Sequence, residues 1–463
     1  MTAQQLPPHL LAVSTLSCRK DGTRIDIEPQ AQVPATIVDF KEAAIHSTPL
    51  QRSVSTELSS CASESIPGKL GEENSTPHLY LHSEFSIPNT QKAAMTATVG
   101  EDLNIQLCKI KVKIPKENEV VVRIAWTGMC RSDACFSVGP EPGFPSHSHI
   151  AGHEGIGHVV ASYDPCLLGR PVATRYIGYT CQTCRFCLGG LPESCPSHTA
   201  FPKHHQGTFQ QYMTAPWSSL VPLPRWVFDT KSGVWPGAYT AALCSGSTAL
   251  KAVQTTDIHA GDVVVVVGVL GGIGHLVGQI AKRVFGAKVI GVDIEEKVTT
   301  AIGEKYGHCY DRLLASPYLA DAPSWEAFVQ NLHDVCKDLR GNKFDHNRAD
   351  SVIVTASRYE AFHGLDSYVR DGGSITCVGC PRGNGMFTIP LVSALIERQL
   401  KVQGCMMGGV QGAYAVMDYI RSGLIEVMTQ EIPLEDVTDR MGQFLDCKNS
   451  GKLVVRVNGS LPT

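Results

Sequence analysis

Four cysteines, Cys181, Cys184, Cys187 and Cys195, fall within the single stretch CQTCRFCLGGLPESC. Their pattern, C-x2-C-x2-C-x7-C, lets four thiolates close a tetrahedron around zinc at about 2.3 Å each. Gly189, Gly190 and Pro192 supply the turns that bring the fourth ligand back. A set closed by four protein ligands has no vacancy for chemistry, so this lobe is a structural feature. Four unligated cysteines and a redox dithiol are the alternatives, and the second would need only two of them. The chain holds 17 cysteines without a secretory signal, which reads as thiols and metal ligands in a reducing compartment.

A second group is dispersed: Cys130 in TGMCRSD, His153 in AGHEGIG and Cys244 in LCSGST. Two thiolates and one imidazole leave a fourth position for water or substrate, the donor set of a catalytic zinc. Glycines flank each residue (Gly128, Gly152, Gly155, Gly246) and permit close backbone approach. Singly, each has an ordinary reading, a small buried thiol or a satisfied histidine.

From Thr248 the pattern alternates strand, glycine turn, helix, strand. Asp262 to Val267 (DVVVVV) is a continuous apolar run, as in a parallel strand covered on both faces. Gly268, Gly271, Gly272 and Gly274 follow in GVLGGIGH, a turn suited to a pyrophosphate at a helix N-terminus. The register departs from G-x-G-x-x-G, because Val269 stands where the first glycine would fall. The next strand, KVIGVD, ends in Asp293, whose carboxylate can accept from ribose hydroxyls and repel a 2′-phosphate. NAD rather than NADP is therefore predicted, with Lys297 in the same cofactor set; alternatively Asp293 caps the next helix.

At roughly 150 residues per domain, a chain of 463 residues has room for about three units. Residues 1–92, rich in Ser, Thr and Pro, are predicted to be a disordered extension. A β-rich catalytic domain is predicted over 93–246, with the four-cysteine lobe at 178–197. A doubly wound α/β domain is predicted over 247–395, after which the chain turns mixed again and ends in a strand. Predicted strands include 119–125, 157–161, 262–267, 288–292, 351–355, 374–378 and 452–457. A formal charge of −4 without a dense basic block speaks against nucleic acid or an anionic membrane as partner. The longest apolar run is strand length, well short of the ~20 residues of a spanning helix. A cytosolic location is expected, with mitochondrial import as the alternative.

These residues together resemble the zinc-dependent medium-chain alcohol dehydrogenases, particularly the short-loop tetrameric microbial type. The similarity covers about 93–457 and rests on GHEGIG (152–157), the four-cysteine lobe, GTFQQY (207–212), LCSGST (243–248) and GGIG (271–274). The resemblance implies a GroES-like catalytic domain split around a Rossmann domain, with 396–463 returning to the first domain and the active site in the cleft between. It implies two zincs per chain, Cys130, His153 and Cys244 holding the catalytic ion and the cysteine quartet the structural one. Glu154 matches a carboxylate behind the metal, and Asp133 an acid that orients the ligating histidine. Arg131 and Lys452 match phosphate-facing cations, the second usually Arg. The implied reaction is hydride transfer from a zinc-bound alkoxide to NAD, giving an aldehyde or ketone, with Ser132 starting proton removal. The family also implies a homo-oligomer, dimer or tetramer.

A histidine commonly ends that proton relay three residues beyond the hydroxyl, where this chain has Cys135. A thiol with pKa near ~8.5 shuttles protons poorly at neutral pH, so activity is expected to rise toward alkaline pH and Cys135→His to raise the neutral rate. Tyr176, Ile177, Phe136 and Phe144 are candidates for the substrate wall, or equally ordinary core aromatics. A surface loop is expected within 321–348. The rival readings are an NADP-dependent aldehyde or aryl-alcohol reductase and a non-catalytic relative, which typically lacks catalytic-zinc ligands.

Overall fold

Val-rich segments with few breakers become the strands that carry the molecule. In the computed structural model, residues 77–98, 103–138, 149–229, 231, 233–300, 305–317, 322–341, 346–381 and 392–459 are described. The first sheet contains β1 (Glu119–Gly128), β2 (Glu154–Ser162), β3 (Pro171–Ala173) and β4 (Tyr212–Pro216). Helix α1 (Arg131–Ser137) follows β1 directly.

The second sheet begins after α2 (Ser247–Thr255), with β5 (Val263–Val267), α3 (Gly274–Arg283), β6 (Lys288–Ile294) and β7 (Arg312–Ser316). It continues through α4 (Ala322–Arg340), β8 (Ala349–Val354), β9 (Val369–Cys377) and β10 (Lys401–Gly404). Helix α5 (Val410–Arg421), β11 (Thr429–Pro433), α6 (Val437–Leu445) and β12 (Lys452–Arg456) complete the chain.

The second sheet runs β7-β6-β5-β8-β9-β10, all parallel. Strand order therefore reverses between β5 and β8, where a doubly wound sheet opens a crevice for a ligand. β5 is buried along its whole length, as the valine run requires. In the first sheet β12 pairs antiparallel with β1, and β11 parallel with β12. One apolar core joins the sheets, drawing Ala125, Trp126 and Ile156 from the first and Val264, Val266 and Val289 from the second.

Three expectations change. Lys401–Gly404 still pairs with β9, so a return to the first sheet after residue 395 comes too early. Tyr80–Leu81 pairs with β2 and Thr90–Thr96 with Ile105–Lys111, so order begins before residue 93. Residues 1–76 lie outside the described residues. The loop expected within 321–348 is largely helix α4, whose Phe328, Leu332 and Cys336 recur every four residues as one buried stripe. Among the described residues no helix is long and apolar enough to cross a membrane.

Burial holds two histidines neutral. His158, on β2, is pushed down to about 4 by burial and by Arg123 and His82. Burial likewise takes His275, at the start of α3, to about 4. Unfolding returns both to about 6.5, so below that pH the unfolded chain binds more protons and stability falls as pH drops toward 4. Each histidine contributes a slope of about 1.4 kcal/mol per pH unit in that window. Denaturant unfolding between pH 7 and 4.5 should show a smaller loss for His158→Phe than for the parent; equal losses would refute the assignment.

Candidate active site and metal centres

The dispersed group assembles at the end of β1. Cys130 leads into α1, and Asp133 in the first turn is fully buried. Asp133 Oδ2 accepts from the Cys130 backbone N at 2.9 Å, and Oδ1 accepts from the Gly152 N at 3.0 Å. Oδ1 also lies 2.9 Å from His153 Nδ1. With Nδ1–H donating there, Nε2 keeps its lone pair for a metal, the usual orienting arrangement.

Cys244 comes from a π-helical turn, Ala242–Gly246, an irregularity common at functional sites. Ligand atoms of Cys130, His153, Glu154 and Cys244 lie within 4.8 Å of one another. The glycines of GHEGIG have a steric reason here. Gly152 adopts φ +97°, and a Cβ on it would sit 2.4 Å from Thr208 Oγ1. Thr208 Oγ1 is itself 2.6 Å from Thr127 Oγ1.

The donor set fits zinc. A hydrogen bond from Cys244 and the His153 imidazole hold the Cys130 thiol well below its ordinary value, against burial. Burial opposes protonation of His153, but the Asp133 carboxylate and the Cys130 sulfur together raise that imidazole. Burial lifts Glu154 to about 7, opposed by the Lys452 ammonium. Lys452 Nζ lies 2.5 Å from the Glu154 carboxylate and donates to Ser245 Oγ at 3.0 Å, with 2 % of the residue exposed. Gly128 makes room for this pair, since a Cβ there would meet Glu154 Oε2 at 2.3 Å. Lys452 was expected to face a phosphate; its ammonium is instead enclosed behind the ligand group. Its backbone neighbour Gly451 does reach the glycine turn, donating to the Leu270 carbonyl at 2.8 Å.

The quartet also converges. Sulfur separations are 3.5 Å for Cys195–Cys181, 3.6 Å for Cys184–Cys187 and 4.0 Å for Cys181–Cys187. Four bonds of about 2.3 Å at tetrahedral angles place sulfurs about 3.8 Å apart, so the spacing suits one zinc. The Cys184 N–H donates to Cys181 Sγ at 3.3 Å, and backbone and hydroxyl donation from Thr183 helps bring Cys181 to about 6, favouring the thiolate a metal needs.

At the sheet reversal, Gly268 turns the chain with φ +80°, and a Cβ on Gly274 would lie 2.0 Å from the Gly268 carbonyl oxygen. Gly271 and Gly272 leave open backbone, with no added-Cβ contact closer than 3.2 Å. Asp293 is the last residue but one of β6 and is 7 % exposed. Its Oδ2 accepts from Leu270 N at 2.8 Å and its Oδ1 from Ile294 N at 2.9 Å, so it shapes the turn. Lys297 donates to the Asn449 carbonyl at 2.9 Å, and Arg131 Nη1 to the Cys380 carbonyl at 2.7 Å.

Tyr176 meets the His153 ring edge-on at 5.9 Å and stacks on buried Phe136 at 5.7 Å. Ile177 begins a short strand beside it; Phe144 lies outside the described residues. Ser132 Oγ is 3.6 Å from Cys130 Sγ. Cys135 is 1 % exposed, so position 135 is enclosed where a relay histidine would need water. An imidazole there would overpack the core, which removes the ground for expecting a faster neutral rate from Cys135→His. Sequence reasoning missed Ser245, Thr208 and Arg175. Arg175 is buried and donates to the Leu243 carbonyl at 2.9 Å, next to Cys244. Its only signal was an arginine inside an otherwise uncharged stretch.

Residues 116–225 match the family model of the alcohol dehydrogenase GroES-like domain, and 272–422 that of the zinc-binding dehydrogenase. With the split first sheet, the parallel second sheet and the two ligand groups, this defines a zinc-type medium-chain dehydrogenase. More narrowly, the chain belongs to the medium-chain alcohol dehydrogenases. It is 28 % identical over 377 residues to alcohol dehydrogenase 2 of Caenorhabditis elegans, covering 81 % of this chain and 98 % of that one. It is 26 % identical over 392 residues to alcohol dehydrogenase 2 of Emericella nidulans, covering 80 % and 98 %. Among solved structures, an NAD-dependent alcohol dehydrogenase superposes with TM-score 0.65 at 22 % identity, covering 79 % of this chain and 100 % of the other. An acetophenone reductase from Geotrichum candidum superposes with TM-score 0.61 at 22 % identity, covering 80 % and 98 %.

Proposed function

We propose that this chain is an NAD-dependent alcohol dehydrogenase that holds two zincs, one in each cysteine group, and interconverts a small alcohol with its aldehyde or ketone. The observation that carries the reading is Asp133, whose single buried carboxylate fixes both Cys130 and His153. When bound, zinc supplies Lewis acidity and the nicotinamide supplies the hydride acceptor.

The chain's own residues do the rest. Cys130, His153 and Cys244 are the ion's ligands, with Glu154 behind them held by Lys452. Ser132, in the first turn of α1, takes the alcohol's proton at its Oγ. Cys135 is enclosed one helical turn on, so the proton continues to water at the open side and the rate rises with pH. Tyr176 walls the substrate space beside His153. Gly268, Gly271, Gly272 and Gly274 admit the pyrophosphate at the N-terminus of α3, and Asp293 repels a 2′-phosphate.

Reduced-nicotinamide formation from primary, secondary and aryl alcohols, run with NAD and NADP at neutral and alkaline pH, tests this. Turnover with NAD, faster at alkaline pH, is expected. Equal or better turnover with NADP would overturn the cofactor assignment. No turnover by zinc-loaded protein with any alcohol or carbonyl partner would overturn the enzyme reading.

A further inference from the structure

We propose a third metal site, separate from both cysteine groups, in which His308, Cys309 and Glu426 bind a zinc-class divalent ion. The three lie at the edge of the second sheet. His308 and Cys309 occupy the short turn Gly307–Cys309 that leads into β7. Glu426 comes from the segment between α5 and β11, over a hundred positions later. One ligand atom from each lies within 4.8 Å of the others.

The geometry is that of a ligand set rather than a chance contact. His308 Nδ1 is 2.9 Å from the Lys305 carbonyl oxygen, and only as N–H can it bond there. The lone pair then sits on Nε2, 3.7 Å from Cys309 Sγ. A nitrogen and a sulfur bound to one tetrahedral zinc at usual bond lengths stand about 3.6 Å apart. A ligating histidine characteristically gives its other N–H to a carbonyl in this way. Glu426 is held from its backbone: Gln279 Oε1 accepts from its N at 2.8 Å, and Gln279 Nε2 donates to its carbonyl at 2.7 Å.

Access agrees. Cys309 is fully buried while His308 and Glu426 are exposed, so an ion enters from solvent and meets the thiol last. Burial and the Glu426 carboxylate raise the Cys309 thiol against Arg283, whose Nη2 is 3.9 Å from the sulfur, so the arriving ion itself must displace the proton. A thiolate, an imidazole and a carboxylate select zinc or cobalt over magnesium or calcium. Three protein ligands leave water in the fourth place. Because the ligands come from the turn before β7 and the segment before β11, the ion ties the nucleotide-binding sheet to the strand that re-enters the first sheet.

The test uses full-length protein equilibrated with zinc and freed of excess by gel filtration, with metal counted by mass spectrometry. Cys309→Ser and His308→Gln should each hold one equivalent less than the parent, whatever the other groups retain, while Cys166→Ser should match the parent. Parent reconstituted with cobalt in place of zinc should show a thiolate-to-cobalt absorption that is weaker in both variants, and magnesium should not suppress it. His308 is exposed, so His308→Gln tests the site even where Cys309→Ser disturbs packing. Equal metal content in parent and variants, or an equal cobalt band, would overturn the proposal.

Discussion

Lys452→Met is expected to lower the unfolding free energy by about 3–5 kcal/mol, the usual cost of removing one partner from a buried ion pair. Lys452 and Glu154 are 2 % and 0 % exposed, and the ammonium is 2.5 Å from the carboxylate. Without it the carboxyl either stays charged in an enclosed space or takes up a proton far above its ordinary pKa. The neighbouring thiolates of Cys130 and Cys244 would balance a divalent ion, so metal loading does not replace the lost cation. Lys452→Met combined with Glu154→Leu should regain most of the loss, because the unpaired charge leaves with its partner. Denaturant unfolding of zinc-loaded protein reads both. A loss under about 1 kcal/mol, or a double variant as weak as the single, would contradict the pairing.

Asp133→Ala is expected to weaken metal binding at the Cys130–His153–Cys244 group by about 10- to 100-fold, the range seen when an orienting partner is lost. Two backbone N–H groups, of Cys130 and Gly152, would also lose their acceptor in a buried place, at about 1–3 kcal/mol each. Asp133→Asn keeps one acceptor oxygen and should fall between the two. The rate of zinc release to a chelator, followed beside alcohol turnover, separates the effects. Faster release confined to a single equivalent identifies this group, since neither the quartet nor the His308–Cys309–Glu426 group makes use of Asp133. Unchanged release would mean that His153 and Cys130 are oriented by other contacts.

The metal groups were legible to different degrees for one reason, the range of the contacts that define them. The quartet needs only a local loop, so C-x2-C-x2-C-x7-C already implied its closure. The second group draws on three separated motifs, and only family resemblance joined Cys130, His153 and Cys244 before the fold did. His308, Cys309 and Glu426 escaped notice because two neighbouring residues and one distant acid form no pattern. Helix α4 was misread although Phe328, Leu332 and Cys336 carry its period, because the segment was judged by its length. The two-residue strand Tyr80–Leu81 has no period to detect and exists only because β2 offers it an edge.

Lys452 marks the boundary most clearly. Its place in GKLVVRV set it on the last strand, and its charge called for an anionic partner. Whether that partner was a phosphate or a buried carboxylate depended on which way a flexible four-carbon stem turned. The antiparallel pairing of β12 with β1, which brings Val454 opposite Gly128, decided that it turned toward Glu154. The sequence by itself determined residue chemistry, ligand spacing and the strand–glycine–helix order, because these follow from neighbours along the chain. Tertiary structure alone decided which distant groups share a buried volume, because desolvation makes an unpaired charge costly and so selects partners in space.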